Sequence, residues 1–516
     1  MSGSTIAPAA VADLMHDLTA TSGETAPVIA PFTGDVLHDL PISTVDDVTE
    51  ATAAARVAQV AWFAAGYAHR RRVLLKAHDL LLERREALLD AVQSETGKTR
   101  GQAFEEVFNA ANATRYNAIA ARRVLKTRGR RGGIPFVFTA RVDYVPKGVI
   151  GVISPWNYPL ALAVMDIAPA LAAGNGVIQK ADNQGAISIL LARRAFIDAG
   201  LPAALWAVVA GPGDPIGDAV VDAGDYIAFT GSTKTGTAVV QRAAGRLVGA
   251  SMELGGKNPL IVLDDVDPVK AAADAAYACF CAAGQLCVSM ERIYVMRGVS
   301  DAFIPALVEF VKNMKIGTAF DYSTDVGSLA TAQQLENVMA HVDDAKKKGA
   351  TVLAGGNARP DIGPYFVEPT VLTDVTSEMK CSTQETFGPL VAVQIVDSEA
   401  AAIIAANATE YGLNASVLSS SRARGRAVAS QLKAGTVNVN EGYRASFGSV
   451  DAPMGGFKKS GMGRRNGTEG LLRFVQSRSI AESTGLLQLP RTGAEWSKLV
   501  GPMLLLLRAQ KALRRR

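Results

Sequence analysis

Three of the four cysteines of this 516-residue chain fall within nine positions, in the stretch CFCAAGQLC that runs from Cys279 to Cys287. A metal site fits poorly: the spacing is C-x-C-x5-C, there is no CxxC pair, and His16, His38, His69, His78 and His341 all lie far off in sequence, so no metal is expected. Four cysteines in a large chain of cytosolic character read as reduced thiols rather than staples. Cys279 and Cys281 sit in the apolar run AADAAYACFCAAG and read as small buried hydrophobes. Cys287 differs, because it follows Gly284-Gln285-Leu286, where a helix would be interrupted. A cysteine nucleophile needs deprotonation, stabilisation of the oxyanion it creates, and access for substrate. With no histidine near, the proton acceptor has to be a carboxylate, and Glu253 is the candidate, between Met252 and Leu254 at the end of an apolar strand and just before Gly255-Gly256. A buried Glu there either pairs with a cation, Lys257 or Lys180, or has a raised pKa suited to base catalysis.

The elements that must position these groups follow from hydrophobic rhythm. Residues 48–127 show apolar residues at three and four spacing and predict helices. From Tyr144 the chain alternates short apolar strands (VIGVIS, NGVIQK, WAVVAG, YIAFTGS, RLVGASMEL) with helices, which predicts an α/β fold with a parallel, doubly wound sheet that binds ligands beyond its carboxyl ends. The usual dinucleotide fingerprint is missing: GPGDPIG, with Gly211, Gly213 and Gly217, is one residue too long, and GSTKTG at 231–236 lacks the Lys-Ser/Thr of a P-loop. GSTKTG does follow a strand and open a helix, where free N–H groups favour a phosphate; a plain glycine turn with a Ser cap is the other reading. A second α/β region begins at NPLIVLDDVD, carries helices around 269–283 and 302–314, and ends in the Gly-rich GSVDAPMGGFKKSGMGRR. No internal repeat is apparent.

Composition narrows the partners. The chain is 48% hydrophobic and 20% charged, an ordinary globular balance. The formal net charge of +4 comes from the tail: residues 498–516 carry six Lys/Arg and no acid, which leaves 47 basic against 49 acidic side chains elsewhere. A near-neutral body argues against nucleic acid as partner. No Lys or Arg precedes Arg56, so neither a secretory signal nor a transit peptide is read there, and a cytoplasmic location is expected.

Six ordered motifs, SPWNYP (154–159), GNGVIQK (174–180), FTGSTKTG (229–236), MELGGKNP (252–259), GQLC (284–287) and ETFGP (385–389), together with ETGK at 95–98, resemble the aldehyde dehydrogenase superfamily from about residue 25 to 485. The resemblance implies a Rossmann-like cofactor domain (1–128 and 147–254), a catalytic domain (255–455), small β elements for oligomerisation (129–146 and 470–490) and a homodimer or homotetramer. It implies NAD(P)-dependent oxidation of a small-molecule aldehyde through a thioester: Cys287 as nucleophile, Asn157 and the Cys287 N–H for the oxyanion, and Glu253 to activate the hydrolytic water. Cofactor contacts are implied for Ile153, Ser154, Pro155, Trp156, Gly213 and Leu254. Lys180 is expected at the adenine ribose, Ser232 at the pyrophosphate with Gly231 and Gly236 forming the turn, Glu385 at the nicotinamide ribose and Phe387 beside the nicotinamide. NAD-preferring relatives place a Glu where this chain has Asn183; its loss relieves repulsion of a 2′-phosphate and favours NADP over NAD.

The C-terminal stretch and GLPAALWAVVAGPGDPIGDAV most resemble bacterial NADP-type succinate-semialdehyde dehydrogenases. Members of that activity hold the substrate carboxylate with arginines where this chain has Met165 and Cys281. Arg444, Arg464 or Arg465 are candidate replacements, and an apolar aldehyde is the alternative substrate. The tail WSKLVGPMLLLLRAQKALRRR lies beyond the resemblance; it is expected to rest on an anionic membrane surface, pack on a neighbouring subunit, or be disordered.

Overall fold

The computed structural model describes residues 6–134 and 136–513. They divide into two compact units, one built from residues up to Leu125 and Pro146–Gln476, the other from Lys126–Val145 and from Ser477 onward.

In the first unit the helical rhythm of residues 48–127 becomes four helices, Val45–Ala64, Gly66–Glu83, Arg85–Thr96 and Arg100–Leu125. The alternating region then builds a six-stranded sheet in the order Gly461–Met462, Ala250–Glu253, Tyr226–Thr230, Val149–Ile153, Gly176–Lys180, Trp206–Val209. All of its pairings are parallel except that of Gly461–Met462 with Met252 and Glu253. The first of the parallel strands, Val149–Ile153, lies in the middle, with its successor on one side and Tyr226–Thr230 on the other. Strand order reverses there, so the loops leaving these two strands flank the crevice where doubly wound sheets take their ligands. Helix Pro159–Ala173 has all fifteen residues buried, as a helix apolar on every side must, and packs on Arg100–Leu125. Burial of Leu160, Leu162, Ile167 and Leu171 stabilises the layer by about 1.5–3 kcal/mol each.

The second sheet has seven strands in the order Thr351–Ala354, Thr370–Thr373, Leu390–Val396, Met290–Met296, Asn258–Val262, Asn414–Leu418, Thr436–Val439, parallel except for its first pair. The chain passes from one sheet to the other in the four residues between Glu253 and Asn258. The catalytic region was placed at 255–455 from sequence; the chain runs on to Gly461–Met462 and closes the edge of the first sheet, a pairing set by register and not by local pattern.

In the second unit Val475–Ser483, Phe138–Pro146 and Arg128–Arg131 form a three-stranded sheet. Strands were expected across 470–490, but Gly467–Leu472 is a helix with Leu471 fully buried. The tail forms helix Gly493–Ala512, capped by Thr492 and Glu495, with no buried residue. Among the described residues no helix is long and apolar enough to cross a membrane.

Candidate active site

The site lies where the two sheets of the first unit meet. Pro155, Trp156 and Asn157 leave the strand Val149–Ile153, Gly231 and Ser232 leave Tyr226–Thr230, and Glu253, Leu254 and Gly255 leave Ala250–Glu253; all line one cavity of about 500 Å³. The second sheet contributes Cys287 and the Glu385–Phe387 segment, with Gln334, Asn337 and His341 from helix Ala332–Lys347.

Cys287 reaches this cavity by a sharp detour. Helix Pro268–Phe280 ends at Cys281, and Ala282, Ala283 and Gly284 then take left-handed backbone at φ 52°, 51° and 70°. Two alanines there store strain of about 1–2 kcal/mol each. Gly284 is required: a Cβ would lie 2.1 Å from the Gly388 carbonyl oxygen, so the cysteine loop and the Glu385–Phe387 loop touch backbone to backbone. The Asn258 amide donates to the Cys287 and Ser289 carbonyls at 2.8 and 2.7 Å. Asn258 also begins the strand that follows Glu253, so the passage between sheets fixes Cys287 and Glu253 together.

The electrostatics suit proton transfer. Glu253 is buried, and its Oε1 has no hydrogen-bond partner among the described residues. Burial pushes its carboxyl up to about 7, against the pull of Arg465 and Arg473. Neither lysine considered from sequence pairs with it: Lys257 is bound to Glu291, and Lys180 donates to the Ala181 carbonyl at 3.2 Å. Of the two readings of Glu253, the structure carries the raised pKa. The half-buried Cys287 thiol is pushed up to about 12 by burial and then by the fields of Glu253 and Glu385, so it needs a base at neutral pH. No backbone carbonyl among the described residues accepts from its N–H. Asn157 donates from Nδ2 to the Gln285 carbonyl at 2.9 Å, which holds its amide against the loop that carries Cys287.

The other nominated residues are placed as follows. Lys180 and Asn183 lie beyond the carboxyl end of Gly176–Lys180; Asn183 Oδ1 accepts from the Gly211 N–H at 3.0 Å, and Gly213 opens the turn Gly213–Gly217 nearby. Ser232 caps helix Thr233–Gly245, and Gly236 in its first turn meets the Leu254 side chain. Ile153 ends the central strand, and Ser154 accepts from Gln179 at 2.8 Å. Glu385 accepts from the Gly256 N–H at 2.7 Å and is pushed up to about 8 by burial and by Glu291. Phe387 meets Trp156 edge to face at 5.6 Å. Met165 and Cys281 share one apolar cluster with Tyr158, Tyr443, Phe447 and Cys287.

With this geometry in view, the comparisons decide the family. The profile described as "Aldehyde dehydrogenase family" matches residues 18–480. The chain belongs to the aldehyde dehydrogenase family. A Mycolicibacterium smegmatis protein with the provisional name succinate-semialdehyde dehydrogenase [NADP(+)] is 48% identical over 484 residues, 93% of this chain and 94% of that one. A Mycobacterium ulcerans protein with the same provisional name, numbered 2, is 50% identical over 451 residues, 87% of each chain. Among solved structures, the NAD+ complex of an aldehyde dehydrogenase from Bacillus cereus superposes with a TM-score of 0.88 at 32% identity, covering 94% of this chain and all of that one. An E. coli NADP dependent enzyme gives a TM-score of 0.87 at 33% identity, over 90% of this chain and 96% of that one. This aldehyde dehydrogenase is therefore an oxidoreductase acting on an aldehyde, with the doubly wound fold its sequence pattern predicts.

The arginines nominated for a substrate carboxylate are all committed. Arg465 is buried and paired bidentately with Asp166 at 2.9 and 2.6 Å, and it donates to Thr230 at 2.7 Å. Arg464 donates to the Gly456 and Gly463 carbonyls. Arg444 pairs with Glu441 at 2.9 Å and lies 4.0 Å over the Tyr277 ring. The sequence reading missed the supports of this aldehyde dehydrogenase site: the Lys257–Glu291 pair, whose Glu291 accepts from the Thr386 and Phe387 N–H groups, and Lys98 with Glu106 behind Asn157. Their only signal was charge inside otherwise buried segments.

Proposed function

We propose that Cys287, Asn157 and Glu253 carry out the oxidation of an aldehyde to a carboxylic acid, with NADP preferred as cofactor and succinic semialdehyde as substrate. The observation that carries the reading is the convergence of Cys287, Asn157 and an unpaired, buried Glu253 on one cavity.

Glu253, titrating near neutrality, takes the Cys287 proton, and the sulfur adds to the aldehyde carbon. The oxygen that gains the electron pair is held by the Asn157 amide and the Cys287 N–H, donors already in place before charge develops. NADP, when bound, would supply the hydride acceptor for the oxidation. Glu253 releases the thiol proton to solvent, then takes a proton from the attacking water; the C–S bond breaks, Cys287 leaves as thiolate, and the acid departs. For the cofactor, Lys180 would meet the adenosine ribose, the capped N-terminus at Ser232 the pyrophosphate, and Glu385 with Phe387 the nicotinamide end. Position 183 offers an amide whose oxygen is engaged by Gly211, so no carboxylate there repels a 2′-phosphate. The carboxylate whose field Lys180 feels is Asp182, tied to the Gln184 N–H at 3.1 Å.

Succinic semialdehyde rests on the names of the two relatives. A neutral aldehyde is the second reading, and a specific observation favours it. Where a carboxylate anchor would stand, the Cys281 thiol meets three tyrosines, Tyr443 at 2.6 Å, Tyr158 at 3.7 Å and Tyr277 at 3.8 Å. Glu105 accepts from the hydroxyls of Tyr443 and Tyr277 at 2.9 and 2.5 Å. The test follows reduced cofactor with succinic semialdehyde and a medium-chain aldehyde, each with NADP and NAD. A higher kcat/KM for succinic semialdehyde supports the first substrate; a higher value for the medium-chain aldehyde selects the second. Full activity in Cys287→Ala removes the nucleophile assignment.

For assembly, we propose a homo-oligomer formed through the three-stranded sheet, whose outer strands Arg128–Arg131 and Val475–Ser483 each have one edge unpaired among the described residues. Light scattering on purified protein tests it, and a monomer at micromolar concentration would reject it.

A further inference from the structure

Against the Asn157 main chain lies a buried ion pair that the mechanism above does not use. Lys98 is 2% exposed and Glu106 fully buried. Lys98 Nζ donates to Glu106 Oε1 and, at 2.6 Å, to the Asn157 backbone carbonyl; it also lies 3.6 Å over the Tyr158 ring. The other carboxylate oxygen, Glu106 Oε2, accepts from the Ala161 N–H at 3.0 Å. That contact fills a gap. Helix Pro159–Ala173 begins at Tyr158 with no side-chain cap and with Pro159 in its first position, so its first free N–H groups depend on a partner from elsewhere. A carboxylate at a helix N-terminus is also favoured by the helix dipole.

Asn157 is thereby gripped from two sides. Its amide is held by the Gln285 carbonyl, and Gln285 is itself fixed by bonds to Ala282, Ser328 and Ala330 at 3.1, 3.3 and 2.9 Å. Its main chain is held by Lys98. One N–H of the amide is spent on Gln285, and the other has no acceptor among the described residues. A shift of the main chain by a few tenths of an ångström would rotate that donor off target, and oxyanion donors act only when placed before the reaction. The Lys98 ammonium, with three N–H donors on one atom, bonds both the Glu106 carboxylate and the Asn157 carbonyl.

We infer that Lys98 and Glu106 are positioning residues for the oxyanion: as an ion pair they lock the turn from Asn157 into helix Pro159–Ala173 and so aim the Asn157 amide at the carbonyl oxygen attacked by Cys287. The inference rests on Asn157 being that donor.

The test compares Lys98→Met, Lys98→Arg, Glu106→Gln and Asn157→Ala in the full-length enzyme. Three rates are read: kcat and KM for aldehyde oxidation, hydrolysis of p-nitrophenyl acetate, and alkylation of Cys287 by iodoacetamide. The first two build an oxyanion; the third is substitution at a saturated carbon and builds none. Losing an oxyanion donor costs about 100- to 1000-fold in kcat, and a misaimed one is expected to cost about tenfold or more. Lys98→Met and Glu106→Gln should therefore lose at least about tenfold in both carbonyl reactions, with KM and alkylation within about twofold of the parent. Lys98→Arg, which keeps the charge, should regain part of the loss. If Lys98→Met does not fold, Glu106→Gln and Lys98→Arg carry the comparison. Retention of kcat in Glu106→Gln and Lys98→Met while Asn157→Ala is crippled overturns the positioning role and leaves the site assignment standing. Alkylation falling in parallel with the carbonyl reactions also overturns it, since that marks general damage. Full activity in Asn157→Ala instead rejects the site assignment beneath it.

Discussion

The raised pKa of Glu253 comes at the expense of stability. A carboxyl whose folded pKa lies above the usual value near 4.5 holds its proton more tightly when folded; that contribution is complete at low pH and is lost as pH rises from about 4.5 through about 7. At about 1.4 kcal/mol per unit the ionised, unpaired Glu253 costs about 3 kcal/mol at pH 8. Glu253→Gln should therefore unfold at higher denaturant concentration than the parent at pH 8, with the gap shrinking at pH 5. The same variant should lose about 100-fold or more in steady-state turnover. In rapid mixing with a saturating aldehyde its progress should stop after about one equivalent of reduced cofactor, because thioester hydrolysis is the step most in need of the base. Sustained turnover at the parent rate would mean that another group activates the water. In the parent, turnover should rise with pH through about 7, following ionisation of Glu253. At this scale the residue types were legible from sequence: a cysteine after a helix break and an acid at a strand end before two glycines. Whether that acid was paired could not be read, because Lys257 and Lys180 are equally near it in sequence and only the fold directs Lys257 to Glu291.

Loops leaving strands bring the chemistry together, and their fit is tight. A Cβ on Gly255 would lie 2.3 Å from Glu385 Oε2, where Glu385 accepts from the Gly256 N–H. Gly255→Ala must displace that carboxylate, which stands at the proposed nicotinamide-ribose position. A rise of about tenfold in the KM for NADP is expected, with Cys287 alkylation unchanged; an unaltered KM would detach Glu385 from the cofactor. The alternation of strands and helices after Tyr144 was readable because a strand covered on both faces must be continuously apolar. Each strand it indicated forms, from Val149–Ile153 to Ala250–Glu253. The two-residue strand Gly461–Met462 was not readable, since so short an edge strand has no pattern of its own. The Lys98–Glu106 pair escaped for a related reason: a charge in a loop or within a helix is solvated in most chains, and here helix Pro159–Ala173 packs on the helix that carries Glu106.

Over the whole molecule, the candidate site and the tail belong to different units. Every residue lining the active-site cavity belongs to the first unit, and the helix Gly493–Ala512 buries none of its residues. Removal of residues 491–516 is therefore expected to leave kcat/KM within about twofold and the melting temperature within a few degrees. A large loss in either would show that the tail supports the catalytic unit.

The sequence alone determined the fold class and the order of the elements and put forward the candidate reacting groups, because periodicity and motif spacing are local properties of the chain. The tertiary structure alone decided that Glu253 is left unpaired, that Arg444, Arg464 and Arg465 are already engaged, and that Asn157 is gripped by a buried ion pair. Each of these depends on which distant charge reaches a buried group first, and burial makes that choice worth several kcal/mol.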